Sequence, residues 1–221
     1  MVAESAMPAS PLYGHPSRRG VADPVSTPES RLEASLIAAR AGNPIAFEAV
    51  YRALAPRLAR YARGLVGQDA EDVAAEAWLQ IVRDLSRFDG DWDAFRGWAA
   101  RILRNRAIDH LRAQSRRPAG AQALEAVLDL PGPDNTEVAA EEALSTTGAI
   151  ELIASLPPDQ AEAVLLRAVV GLDAKSAGAV LGKRPGAVRV AAHRGLKTLA
   201  TRLEGARESN GSRPAGAGRV S

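Results

Sequence analysis

The sequence predicts an all-α protein, two small helical domains joined by a flexible acidic linker, and three observations carry that expectation. Ala, Leu, Arg and Glu dominate the chain, and these residues lose little on entering a helix. No stretch alternates apolar and polar residues as a half-buried strand would. Turn-forming clusters punctuate the chain at AGNP (41–44), GLVGQD (64–69), FDGDWD (88–93), RRPAG (116–120), LPGPDN (130–135), LPPD (156–159) and VGLD (170–173). With 221 residues, 46% of them apolar, the chain can build one medium core or two small ones.

Residues 1–30 carry five prolines and no apolar run, so they read as a disordered tail without the apolar centre of a signal peptide. A helical domain is expected over 31–117. Residues 118–147, rich in Ala, Pro, Gly and acids, read as the linker. A second helical domain is expected over 148–203, and 204–221 has the composition of another disordered tail. No internal repeat is visible. No apolar run approaches the roughly 18 residues that span a bilayer, so no membrane insertion is expected. The absence of cysteine excludes disulfides and thiolate-bound zinc, while His15, His110 and His193 are too scattered to form a catalytic metal cluster. The chain therefore reads as cytoplasmic, with no metal and no cofactor.

Charge is segregated along the chain. Residues 69–93 hold eight acids against two arginines, and residues 96–117 hold seven arginines against Asp109. Residues 118–166 hold nine acids and no Lys or Arg, and residues 183–202 hold six cations and no acid. Two basic blocks separated by an acidic one suit a protein that touches nucleic acid in two places better than an enzyme with mixed surface charge.

The first basic block, RILRNRAIDHLRAQSRR (101–117), resolves on a helix into two faces at about 100° per residue. Ala99, Leu103, Ala107 and Leu111 form the inward stripe, with Ala100 and Ile108 at its margin. Arg101, Asn105, Asp109, Arg112 and Arg116 form a continuous polar stripe opposite. Charge alone fits a solvated face equally well, with Asp109 paired to Arg112 and Arg106. The upstream segment RFDGDWDAFRGW favours nucleic acid, because Phe88, Trp92, Phe95 and Trp98 place four of the chain's nine aromatics within eleven residues. Aromatic rings beside cations suit a single-stranded base and its phosphates. Phe95 and Trp98 also fit a plain core role.

In the second block, AGAVLGKRPGAVRVAAHRGLKTLATRL, a helix ends at Leu181 and Gly182 is expected as a left-handed C-cap. A longer basic helix then begins with Pro185 at its first position. Val188, Ala192, Leu196, Leu199 and Leu203 are expected inward, leaving Arg184, Arg189, Val190, His193, Arg194 and Lys197 outward. A short helix, a tight turn and a longer basic helix form the helix-turn-helix pattern, whose second helix enters the major groove by its N-terminal end.

Four ordered blocks, YRALAPRLARYARGLVGQDAEDVAAEAW, FDGDWDAFRGWAARILRNRAIDHLRAQSRRP, LPPDQAEAVLLRAVVGLDAKSAGAVLG and GAVRVAAHRGLKTL, resemble the extracytoplasmic-function (ECF) alternative sigma factors of bacterial RNA polymerase. The resemblance covers roughly residues 31–117, similar to sigma region 2, and 148–203, similar to region 4. It implies a non-enzymatic subunit that binds core RNA polymerase and directs initiation by recognising the −10 and −35 promoter elements. Asp69 to Val82 resembles the clamp-docking helix, which makes Asp69, Asp72, Val73 and Glu76 candidate polymerase contacts. The loop Phe88 to Phe95 with Asn105 resembles a pocket for a flipped −10 base, and Arg101, Asp109, Arg112 and Arg116 accompany it along the arginine stripe. The linker resembles the segment that follows the polymerase cleft toward the RNA exit path.

The chain departs from the family at Ala75, often Gln, and at Ala187, Val190 and Ala191, commonly Thr, Ser and Arg. Base readout at −35 then falls to fewer groups. Arg189 is the candidate for a bidentate guanine contact, with a phosphate contact as its alternative, and Val190 for a thymine methyl. Arg194 and Lys197 are candidates for phosphate. Partners implied are core polymerase, promoter DNA and, as a further candidate, an anti-sigma protein, which fits a cytoplasmic, nucleoid-associated location. Two other classes stay open on residues alone: a two-domain helix-turn-helix regulator not associated with the polymerase core, and a helical interaction protein that binds no DNA.

Overall fold

A computed structural model describes the backbone of residues 27–116 and 137–211, and the side chains of 27–116 and 146–205. Residues 1–26, 117–136 and 212–221, which hold most of the expected tails and linker, lie outside the described residues. Among the described residues there are helices and turns and no strand.

The first unit opens with two helices built on one device. Thr27 accepts the Ser30 N–H at 3.2 Å and Pro28 occupies the first position of α1, Pro28–Arg40. Asn43 accepts the Ala46 N–H at 3.1 Å and Pro44 opens α2, Pro44–Val66. Each side-chain oxygen satisfies an N–H that the helix cannot, and proline loses nothing where no donor is needed. A 3₁₀ turn at Gly67–Asp69 leads into α3, Ala70–Asp84. A second at Leu85–Arg87 and the loop 88–91 lead into α4, Trp92–Arg116.

The second unit comprises α5, Glu137–Ala154, and α6, Pro158–Val164, which runs on as a π-helical turn over Leu165–Val170. Then come α7, Ala174–Leu181, and α8, Pro185–Gly211. Asp173 caps α7 by accepting the Ser176 N–H at 2.7 Å. That bond, with further help from the Ser176 side chain and Lys175, holds the Asp173 carboxyl below its usual range. Gly182 takes the left-handed conformation at φ 66°, so the expected C-cap and the start of α8 at Pro185 are both present.

The two units share one apolar cluster, and the second unit keeps a smaller one of its own at Leu156, Ala161, Val164 and Leu199. The shared cluster runs from Leu36, Leu54, Leu58, Tyr61, Ile81, Phe95 and Leu103 into Leu165, Leu166, Val170, Ala177 and Val188. Gly64 makes the approach possible, since a Cβ there would lie 2.6 Å from Leu165 Cδ1. Polar contacts ring the seam. Arg57 Nη1 donates to the Val170 carbonyl at 3.3 Å and Arg96 Nη1 to the Gly171 carbonyl at 2.9 Å, so two arginines of the first unit satisfy carbonyls at the end of the π-helical turn. Arg104 donates through Nε and Nη2 to Glu162 Oε2, at 3.3 and 3.0 Å. Burial, with Glu162 nearby, pushes the Tyr61 hydroxyl well above the ordinary phenol range, so it stays neutral.

Four sequence expectations change. α5 starts at Glu137, inside the stretch read as linker, because EVAAEEA is rich in helix formers with an acid in the first turn. The backbone of α8 continues to Gly211, inside the stretch read as a tail. Leu196 and Leu203, expected inward, are about half exposed, because α8 buries the narrower stripe Val188, Ala192 and Leu199. Leu111 is also exposed, because at its level of α4 the side facing α3 is taken by His110 and Gln114, which both meet Asp69.

Candidate polymerase and promoter interfaces

Along α4, Ala99, Ala100, Leu103 and Ala107 are buried, and Arg101, Asn105, Asp109, Arg112 and Arg116 are exposed on the other side. The outward stripe is therefore as expected, and of the two pairings expected for Asp109 only the one with Arg112 is present. Arg112 Nη1 lies 3.6 Å from Asp109 Oδ1, whereas Arg106 turns toward α3 and donates through Nε and Nη2 to Gln80 Oε1, at 3.0 and 2.7 Å. Arg116 donates from Nε to the Arg112 carbonyl at 3.1 Å. Arg101 has no side-chain partner among the described residues.

The core role that also fitted Phe95 and Trp98 is the one the packing shows, and it extends to Phe88 and Trp92. Phe88, Trp92 and Phe95 are buried, with Phe95 fully enclosed, and Trp98 is half-buried. The Trp92 and Phe95 rings stack at 5.7 Å, and Phe88 meets Phe95 edge-on at 5.5 Å. Each such ring hides about 150–250 Å² on burial, so packing captures them before a base can. What the loop presents outward is Asp89, Gly90 and Asp91. Trp92 and Asn105 are also separated by about 20 Å of helix rise, too far for one base to touch both. The single pocket expected from the loop and Asn105 thus becomes two places along one helix.

On α3, Asp72, Ala75, Glu76 and Leu79 share the exposed face, and with Asp69, His110 and Gln114 they line an open cleft of about 510 Å³. Val73, a candidate polymerase contact, is 1% exposed and packs in the core; it follows the inward 3.6-residue period with Ala77 and Ile81. Asp69 is partly committed inward, with His110 Nε2 3.0 Å from its Oδ2 and Gln114 Nε2 donating to the same oxygen. These bonds fasten the start of α3 to the last turns of α4.

In the second unit, Arg184 in the turn before α8, and Arg189, Val190, His193, Arg194 and Lys197 on α8, are all exposed. Arg184, Arg189, Arg194 and Lys197 have no side-chain partner among the described residues. Lys183 instead fastens the turn, with Nζ 2.6 Å from Asp159 Oδ2. Arg189 and His193 flank a cleft of about 320 Å³, and Arg167 of the π-helical turn stands on its other side. Arg167 was not anticipated. A single cation inside the apolar run AVLLRAVV (163–170) was the available signal.

Both units match sigma-70 families: Sigma-70 region 2 over residues 50–117 and Sigma-70, region 4 over residues 149–199. The ECF RNA polymerase sigma factor SigD of Mycobacterium tuberculosis (strain H37Rv) is 35% identical over 177 residues, 76% of this chain and 82% of that protein. SigF of Caulobacter vibrioides is 33% identical over 79% of this chain and 95% of its own length. Two solved structures share the fold. CnrH in complex with the cytosolic domain of CnrY has a TM-score of 0.55 at 22% identity, covering 79% of this chain and 98% of that one. The sigma factor RpoE in complex with the anti-sigma factor NepR from Bartonella quintana has 0.54 at 21%, covering 72% and 96%.

The chain belongs to the ECF sigma factors of RNA polymerase. It acts with core polymerase on promoter DNA in transcription initiation, and a helix-turn-helix regulator independent of polymerase is not favoured. Among the described residues, no helix is long and apolar enough to cross a membrane.

Proposed function

We propose that the work of initiation is divided among three surfaces. The exposed acidic face of α3, with Asp72 and Glu76 at its centre, docks on a basic surface of core polymerase. The outward stripe of α4 and the tip of the 88–91 loop take the −10 strand, with Arg101, Arg112 and Arg116 on phosphates and Asn105 on a base edge. The N-terminal half of α8 reads the −35 duplex through Arg189, with Arg184, Arg194, Lys197 and the π-turn residue Arg167 on phosphates. The observation that carries this reading is the pair of outward-facing basic helices, one in each matched unit, where Arg101 and the outward cations of α8 have no side-chain partner among the described residues. The chain itself has no catalytic role in this scheme and works in the cytoplasm at the nucleoid. The two solved neighbours are bound to other proteins, one of them named an anti-sigma factor, which supports an anti-sigma protein as a partner here too.

The test is run-off transcription from genomic fragments with core polymerase and the full chain. Promoter-dependent transcripts that vanish with Asp72→Lys/Glu76→Lys, while the chain stays folded, are expected, because exposed charges contribute little stability. Unchanged binding of that double variant to core polymerase would remove α3 from the docking surface.

A further inference from the structure

The loop between α3 and α4 is held from outside by α1, a helix that lies before the residues matched to sigma region 2. Glu33 Oε2 accepts the Trp92 N–H, the first of α4, at 2.6 Å. Seven residues later, Arg40 Nη2 donates to Asp89 Oδ1 at 3.2 Å, and its guanidinium carbon lies 5.9 Å from the Phe88 ring centre. A spacing of seven puts both side chains on one face of α1, two turns apart, so that face grips the loop at both ends. Between them Leu36 is fully buried, which anchors α1 to the core. The loop has little freedom left inside this grip. Gly90 has φ 144°, and a Cβ there would lie 2.9 Å from Ala94 Cβ and 3.0 Å from Phe88 Cζ.

The magnitudes argue against stability as the purpose. The first turn of α4 already has a local cap, since Asp91 Oδ1 accepts the Ala94 N–H at 2.8 Å. Asp89 is 96% exposed, and ion pairs of that kind contribute almost nothing to folding. What the two contacts do is fix where Asp89, Gly90 and Asp91 stand.

We infer that Glu33 and Arg40 are positioning residues for strand opening: together they hold the 88–91 loop in the shape that meets the separated −10 strand. This rests on the proposed reading of the loop and α4 as the −10 face. Because both residues act on one loop, their effects overlap, and the double variant should lose no more than about the larger single loss.

The test uses holoenzyme made with the full chain, on a promoter selected by wild-type holoenzyme and carrying 2-aminopurine in its −10 element. Glu33→Ala and Arg40→Ala should each reduce the opening signal about tenfold, the size of one lost base contact. Binding to a −35 duplex and to core polymerase should not change. Glu33→Gln, which keeps an acceptor at the same reach, should restore opening. Wild-type opening in both alanine variants, while Arg101→Ala/Asn105→Ala impairs it, overturns the positioning role and leaves the −10 reading standing. Normal opening in Arg101→Ala/Asn105→Ala overturns that reading and the inference with it. A parallel fall in opening, −35 binding and thermal midpoint shows a purely structural role and also overturns the inference.

Discussion

The helices α4 and α8 have similar basic composition and opposite relations to the protein around them. On α4, Arg96 donates to the Gly171 carbonyl, Arg104 to Glu162 and Arg106 to Gln80, while His110 and Gln114 meet Asp69. On α8 and the turn before it, the side chains of Arg184, Arg189, Arg194 and Lys197 reach out with no partner among the described residues. Counting charge by segment therefore overstates what α4 can offer DNA and describes α8 fairly. An arginine has a long apolar stem and five donors, and where two units meet it serves as readily to bind carbonyls as phosphates.

The comparison breaks most easily in the frame beneath α4. Phe95 is fully enclosed and packs against the Phe88, Trp92 and Trp98 rings, so Phe95→Ala should cost about 3–5 kcal/mol in denaturant unfolding. Leu196→Ala on α8, at a half-exposed position, should stay within about 0.5 kcal/mol. Equal losses would mean that the two helices are supported alike.

These residues also show what the sequence made legible. The helix class, the break at FDGDWD, the Gly182 cap and the start at Pro185 rest on local chemistry, and local chemistry is written in neighbouring residues. The outward stripes followed from the 3.6-residue period. The fate of the aromatic cluster did not, because rings near cations suit a core and a base equally well, and only the third dimension tells which is closer. The seam between the units was illegible for a related reason. Its determinants are a glycine that admits Leu165 and arginines that bind carbonyls at least 75 residues away, and no periodic pattern records such pairs. Arg167 was hidden by the π-helical turn, whose geometry departs from the regular spacing used to assign faces.

Arg189→Ala should cost about 1–3 kcal/mol in −35 binding and relax preference at one or two positions in a sequence selection. Arg104→Ala should leave −35 selectivity and its salt dependence unchanged, while lowering stability by about 1.5–3 kcal/mol through loss of a charge-assisted pair. Uniformly weaker binding by Arg189→Ala with an unchanged motif would make Arg189 a phosphate contact. The two basic helices would then both serve the DNA backbone, and −35 specificity would have to come from the remaining outward residues.

The smallest expected energy belongs to Arg112, an exposed α4 arginine whose one ion pair stays on the surface of its own helix, whereas Arg96 and Arg104 bind across to the second unit. Its pairing with Asp109 is long, at 3.6 Å, and both side chains are about two-thirds exposed. Such a pair is worth about 0.2–0.5 kcal/mol, so Arg112→Ala should leave unfolding almost unchanged. Its effect on DNA should be of another kind. A phosphate contact releases about one counterion, so the slope of log affinity against log salt should fall by about 1 for every promoter tested, without any change in sequence preference. If the slope is unchanged, Arg112 only solvates the helix, and the phosphate contacts proposed for α4 reduce to Arg101 and Arg116. If preference changes at one position, α4 reads a base there, and its exposed stripe resembles the reading face of α8 more closely than its buried partners do.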